Sequence, residues 1–75
     1  MAKSLKEWEN EAKGLLRAEM TRRSLTYADL VEKLAAIGVS DSERNIRNKV
    51  SRGKFTAVFM LQCLTAIGAR ELRLD

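Results

Sequence analysis

Arg44, Asn48 and Arg52 stand four residues apart in the segment SDSERNIRNKVSRGK, residues 40–54. At the helical advance of about 100° per residue these three share one face, with Asn45 and Ser51 beside them. Guanidinium and carboxamide groups present paired donors and acceptors, and such forks read guanine and adenine edges in a DNA major groove. Arg47 and Lys49 flank the stripe, and Lys54 follows it. From Arg44 to Lys54 there are five basic residues and no acidic one. A patch of this kind suits a polyanion, whose displaced counterions favour binding. A solvated helix surface carries the same residue types, so the stripe alone does not decide between the two.

Other chemistry finds little to work with. The chain has no histidine and one cysteine, and no metal-ligand cluster or glycine-rich phosphate loop can be read from it. No constellation for catalysis is present, so no enzyme, no cofactor and no small-molecule ligand is expected. Cys63 lies between Phe59 and Ile67 at intervals of four, with no cation nearby in sequence to favour the thiolate. It reads as a buried structural thiol. Tyr27, at the start of a helix, either offers its hydroxyl to a phosphate beside the free amides of that helix or sits half buried there.

The stripe needs a mount, and the local signals supply one. Ser40 and Glu43 have the spacing of a capping box, Ile46 and Val50 give the following helix a face to bury, and Gly53 stops it. A first helix begins at Ser4, capped with Glu7, and runs to about Arg23 on the apolar series Leu5, Trp8, Ala12, Leu15, Leu16 and Met20. Trp8 on that stripe is expected in the core. Gly14 inside the helix costs about 1 kcal/mol against alanine, which a close helix crossing there would compensate. The second helix is capped by Thr26 and Asp29 with a Leu25–Leu30 staple, buries Leu30, Val31, Leu34, Ala35 and Ile37, and ends at Gly38. The last follows Thr56 with a Phe55–Met60 staple and is apolar nearly all round from Ala57 to Ile67. Such a helix is either central to the bundle or packs in part on a second copy. The final stretch, ARELRLD, is either a short strand pairing with its copy or a frayed tail. The expectation is an all-α fold, a single domain over residues 1–75, with helices at about 4–23, 26–37, 40–52 and 56–67.

Composition agrees. Seventy-five residues, 45% of them hydrophobic and none of them proline, make one helix-rich domain near the lower size limit for a self-sufficient core. No apolar run is long enough to span a bilayer, and the start of the chain has no hydrophobic signal segment. With one cysteine, a reducing cytoplasm is the expected location. The net charge is +4, and residues 40–54 contribute +3 of it, with five basic and two acidic groups.

The order LLRAEMTRRSLTYADLVEKL, IRNKVSRGK, FMLQCLTAIGA resembles the lambda-repressor and Cro-type helix-turn-helix domains, often called the XRE family, over roughly residues 15–69. It is more similar still to a group of small bacterial proteins of unassigned function with a WENEAK-like start and an NKVSRGKF-like middle. The resemblance implies a helix-turn-helix bundle whose third helix enters the major groove while the start of the second touches the backbone. By the resemblance, Arg44, Asn48 and Ser51 face base edges, and Tyr27, Arg47, Lys49, Arg52 and Lys54 face phosphates. Between Leu34 and Ile46 this chain is longer than the family pattern, and Asp41 is expected on the outer face, where it would repel phosphate.

Two functions remain open. One is a sequence-specific regulator binding double-stranded DNA through residues 40–52, as a homodimer because a single such helix reads few bases. The other is a protein-interaction or dimerisation module on the same fold without DNA.

Overall fold

The computed structural model of the chain describes residues 2–74, and the regular elements among them are four helices: α1 (Leu5–Arg22), α2 (Tyr27–Ala36), α3 (Glu43–Arg52) and α4 (Ala57–Ala66). No strand occurs among the described residues. Three of the four starts follow the local sequence. Ser4 with Glu7 and Thr26 with Asp29 close reciprocal capping boxes, and the Thr56 hydroxyl accepts from the Phe59 amide. Each cap satisfies amides that the first helical turn leaves without partners.

The third start differs. The N-cap is Ser42, whose hydroxyl accepts from the Asn45 amide at 3.1 Å, and the expected box between Ser40 and Glu43 does not form. Asp41 decides the choice. One of its oxygens accepts from the Ser42 amide and the other from Lys49 Nζ, both at 2.8 Å. Residues 37–42 form a non-helical connection, and those bonds fix its last two residues against α3. Asp41 is therefore tied down against α3, with only 13% of its side chain exposed, rather than projecting from the outer face as expected.

Helix ends are as regular as the starts. After α1, α2 and α4 the amides of Leu25, Val39 and Ala69 reach back to the carbonyls of Met20, Leu34 and Leu64, each at 2.9 Å. This is the Schellman closure, and each of the three returning residues packs against the core. The left-handed residue is glycine in two cases and Ser24 in the first, with φ of 56°.

Leu16 and Met20 of α1, Leu30 and Leu34 of α2, Ile46 and Val50 of α3, and Phe59, Cys63 and Leu64 of α4, with Ile67 beyond it, form one buried cluster. α1 and α2 each pack on both α3 and α4, and α2 and α3 are the sequential pair in contact. Ile37 and Ala35, expected inside, are exposed, Ile37 as the C-cap just past the end of α2. α4 is covered on one side only. Val58 and Leu61 are 64% and 63% exposed. The segment after α4 is neither strand nor free tail over its described length, since Leu72 packs on the core while Leu74 is exposed.

α1 outruns its partners. It has 18 residues against 10 in each of the others, and at 1.5 Å per residue its first turns extend beyond the core. Trp8 is therefore 54% exposed rather than buried, with Lys3 Nζ lying 4.5 Å from the ring centroid. Gly14, expected at a helix crossing, is exposed and has nothing within 4 Å of where a Cβ would sit. The close approach is at Gly53 instead. A Cβ there would lie 2.2 Å from the Glu9 carbonyl oxygen, and Gly53 is left-handed with φ of 67°. One glycine thus ends α3 and lets the backbone of α1 pass against that end.

Candidate functional site

Ile46 and Val50 are fully buried, and that fixes the rotation of α3. Arg44, Asn45, Arg47, Asn48, Lys49, Ser51 and Arg52 are all exposed. Three ties hold the helix in place. Its N-cap is braced by Asp41, its Ser51 carbonyl accepts from Lys13 Nζ of α1 at 3.3 Å, and its end lies against Glu9. A polar face mounted in this way can present its groups in a fixed register.

The basic groups fall into two sets. Arg47 is paired with Glu43 at 2.6 Å, Lys49 with Asp41 at 2.8 Å, and Lys54 with Glu9 at 3.9 Å. Lys49 also lies 4.8 Å from the Phe59 ring centroid, and Arg47 lies 5.3 Å from that of Tyr27. By contrast Arg44 and Arg52 have no carboxylate partner, and Asn48 has no side-chain hydrogen bond, among the described residues. The Lys49 ammonium, the Ser42 amide and the Asn45 side chain together hold Asp41 below the usual carboxylate range.

Asn45, Asn48, Lys49, Arg52 and Lys54 line a shallow concavity of about 280 Å³. Arg44 lies one turn before Asn48 on the same side. Ser51 is less available than its position suggests, because its hydroxyl donates to the Arg47 carbonyl at 2.7 Å. Tyr27 is half-buried at the first position of α2. Its hydroxyl accepts from Arg17 Nε at 3.3 Å. With Arg17, Arg47 and Glu43 it borders a second, larger cleft of about 590 Å³ between α1, α2 and α3.

Arg17 has no local signal in the sequence. It sits on the polar side of α1, and only the turn that returns Tyr27 to α1 shows what it is next to. Cys63 is fully buried, and burial pushes its thiol up to about 12. A protonated, enclosed thiol is a poor nucleophile and a poor metal ligand. No group of three or more metal-binding side chains occurs among the described residues, and no helix among them is long and apolar enough to cross a membrane.

These features define a small all-helical domain with a polar, basic face on its third helix. Over residues 8–72 the chain matches the model of the family described as a domain of unknown function, DUF6471, and it belongs to that family. No curated protein and no solved structure matches it.

Proposed function

We propose that this chain is a sequence-specific DNA-binding protein, a transcriptional regulator of the cytoplasm built on a lambda-repressor-like helix-turn-helix, with α3 in the major groove. One observation carries the reading. Arg44, Asn48 and Arg52 lie exposed along one side of α3 without partners among the described residues, while neighbouring cations are matched to carboxylates. Side chains left unpaired on a braced helix are the ones able to exchange water for DNA at small cost in ordering, Arg44 and Asn48 for base edges and Arg52 for phosphate. The sequence resemblance supports the same reading by implying that the third helix is the reading helix. By that resemblance the stretch between Leu34 and Ile46 is longer than the family pattern, so in the proposal the angle of α3 in the groove is this chain's own. In the proposal Arg44 and Asn48 meet base edges. Arg47, Lys49, Arg52 and Lys54 meet phosphates, with Tyr27 on the backbone beside the start of α2. Ser51 is the weakest of the set, because its hydroxyl already serves the helix backbone. The domain works by binding and not by catalysis.

A second reading rests on the uncovered side of α4. Val58 and Leu61 are exposed there, and a groove of about 390 Å³ runs between that helix and the segment containing Leu72. In the DNA reading this surface is where a second copy packs. In the alternative it is the working surface of a protein-interaction module.

Selection from random duplex DNA at near-physiological salt, followed by binding of variants, separates the two. Asn48→Ala is expected to relax base preference at one position, with about 1–3 kcal/mol of discrimination lost there. Lys49→Ala is expected to weaken all duplexes alike. No enriched sequence, or equal binding by both variants and the parent, would overturn the DNA reading and leave the α4 surface as the candidate.

A further inference from the structure

We infer that Arg17, with Tyr27 and Arg47, seats one phosphate of the DNA backbone in the cleft between α1, α2 and α3, an inference that rests on the DNA-binding reading.

Arg17 is exposed and has no carboxylate partner among the described residues. The arginines at the end of α1 differ, for Arg22 and the C-cap Arg23 converge on the buried Glu19 at 3.1 and 2.7 Å. What Arg17 does touch is the Tyr27 hydroxyl, through Nε at 3.3 Å. That contact uses one of five guanidinium donors and leaves the planar end of the group free. Arg47 approaches the same phenol from its face, at 5.3 Å from the centroid. Two guanidinium groups from two helices therefore border one tyrosine, one at its hydroxyl and one over its ring.

The surroundings fit an anion with several acceptor oxygens. Thr26, Tyr27 and Ala28 line the cleft beside Met20 and Leu25, so much of its wall is apolar and its donors are few. The capping box occupies the Thr26 and Asp29 amides, and the Tyr27 and Ala28 amides between them have no acceptor within the helix. Guanidinium forks, a phenol and free amides at one spot are the donors that phosphate groups take up along a duplex. The cleft is open rather than enclosed, which admits a continuous sugar-phosphate chain. Glu43 lies at its border, already paired with Arg47. A phosphate seated on Arg17 fixes the duplex against α1 and α2, so it sets the register in which Arg44 and Asn48 on α3 meet the bases.

The test uses the full chain with Arg17→Ala and Arg17→Lys, on a selected duplex and on an unrelated one, across a salt series. Arg17→Ala is expected to lower affinity by the same factor on both duplexes, about threefold to tenfold, with helix content by circular dichroism unchanged. The slope of log affinity against log salt is expected to fall by about 0.9, the share of a single phosphate, and Arg17→Lys to recover most of that slope. If the parent binds duplex while Arg17→Ala leaves affinity and slope unchanged, this inference falls and the DNA reading stands. If the parent binds no duplex, both fall. Inorganic phosphate at millimolar concentration supplies the remaining arm. If it shifts the Tyr27 ring resonances of the parent but not of Arg17→Ala, while duplex binding ignores the substitution, the seat takes a free phosphate and the DNA-backbone assignment is overturned.

Discussion

Replacing Gly53 by alanine is expected to be the most damaging single-methyl change available in the molecule. Two costs combine. With φ of 67° the residue is left-handed, a conformation that costs an L-residue about 1–2 kcal/mol. The added Cβ would also lie 2.2 Å from the Glu9 carbonyl oxygen and 2.8 Å from its carbonyl carbon. Both are backbone atoms of α1, so no rotamer change relieves the overlap and one of the two helices must move. Overpacking of this sort costs about 1–3 kcal/mol. The sum, about 2–5 kcal/mol, compares with a total stability of about 4–11 kcal/mol for 75 residues at the usual value per residue. Urea unfolding followed by far-ultraviolet circular dichroism measures the loss, and at about 4–8 °C per kcal/mol the melting temperature should fall by about 8–40 °C. Gly38→Ala is the control. Gly38 is also left-handed, with φ of 86°, but has nothing within 4 Å of the new Cβ, so it reports the backbone cost alone. Gly14→Ala, in an open helical position, should instead stabilise by about 1 kcal/mol. Equal losses for Gly53→Ala and Gly38→Ala would refute the close approach of α1 to the end of α3.

Acid should weaken the fold through its caps. Serine, threonine and lysine hydrogen bonds hold Glu7, Asp29 and Asp41 below their ordinary values. A carboxylate with a lowered folded-state value contributes stability above its unfolded value and loses it as pH falls through the folded one. Melting temperatures are therefore expected to be flat near neutrality and to fall below about pH 4. Asp41→Asn, which removes the Lys49 pair, should make that decline shallower, and an unchanged pH profile would contradict the role given to Asp41. A homodimer through α4 is expected in sedimentation at micromolar concentration, reduced to monomer by Leu61→Asp. A monomeric parent would leave the exposed Val58 and Leu61 without that occupant.

The parts of this structure legible in the sequence are those set by neighbours in the chain. Ser4 with Glu7 and Thr26 with Asp29 are three residues apart, and their bonds form wherever a helix starts. The burial of Ile46 and Val50, and with it the outward turn of Arg44 and Asn48, follows from spacing alone. Contacts from further away decided the rest. Ser40 and Ser42 are equally good caps, and a lysine eight residues beyond Asp41 selects the second. Periodicity places Trp8 on the apolar side of α1 but is silent on whether any helix lies opposite. Gly14 and Gly53 are the same residue in sequence, yet only the crossing of α1 and α3 shows which one another backbone meets. Arg17 gains its surroundings only when the turn at Ser24 brings Tyr27 alongside.

Asp41, Glu43 and Glu9 act as resident counterions for Lys49, Arg47 and Lys54. Where a polyanion displaces a carboxylate that stays tethered to the protein, fewer mobile ions go into solution than the tally of lysines and arginines suggests. Under the proposed function, adhesion to arbitrary duplex would then be feeble, and discrimination would rest on Arg44 and Asn48, which begin with no anion of their own.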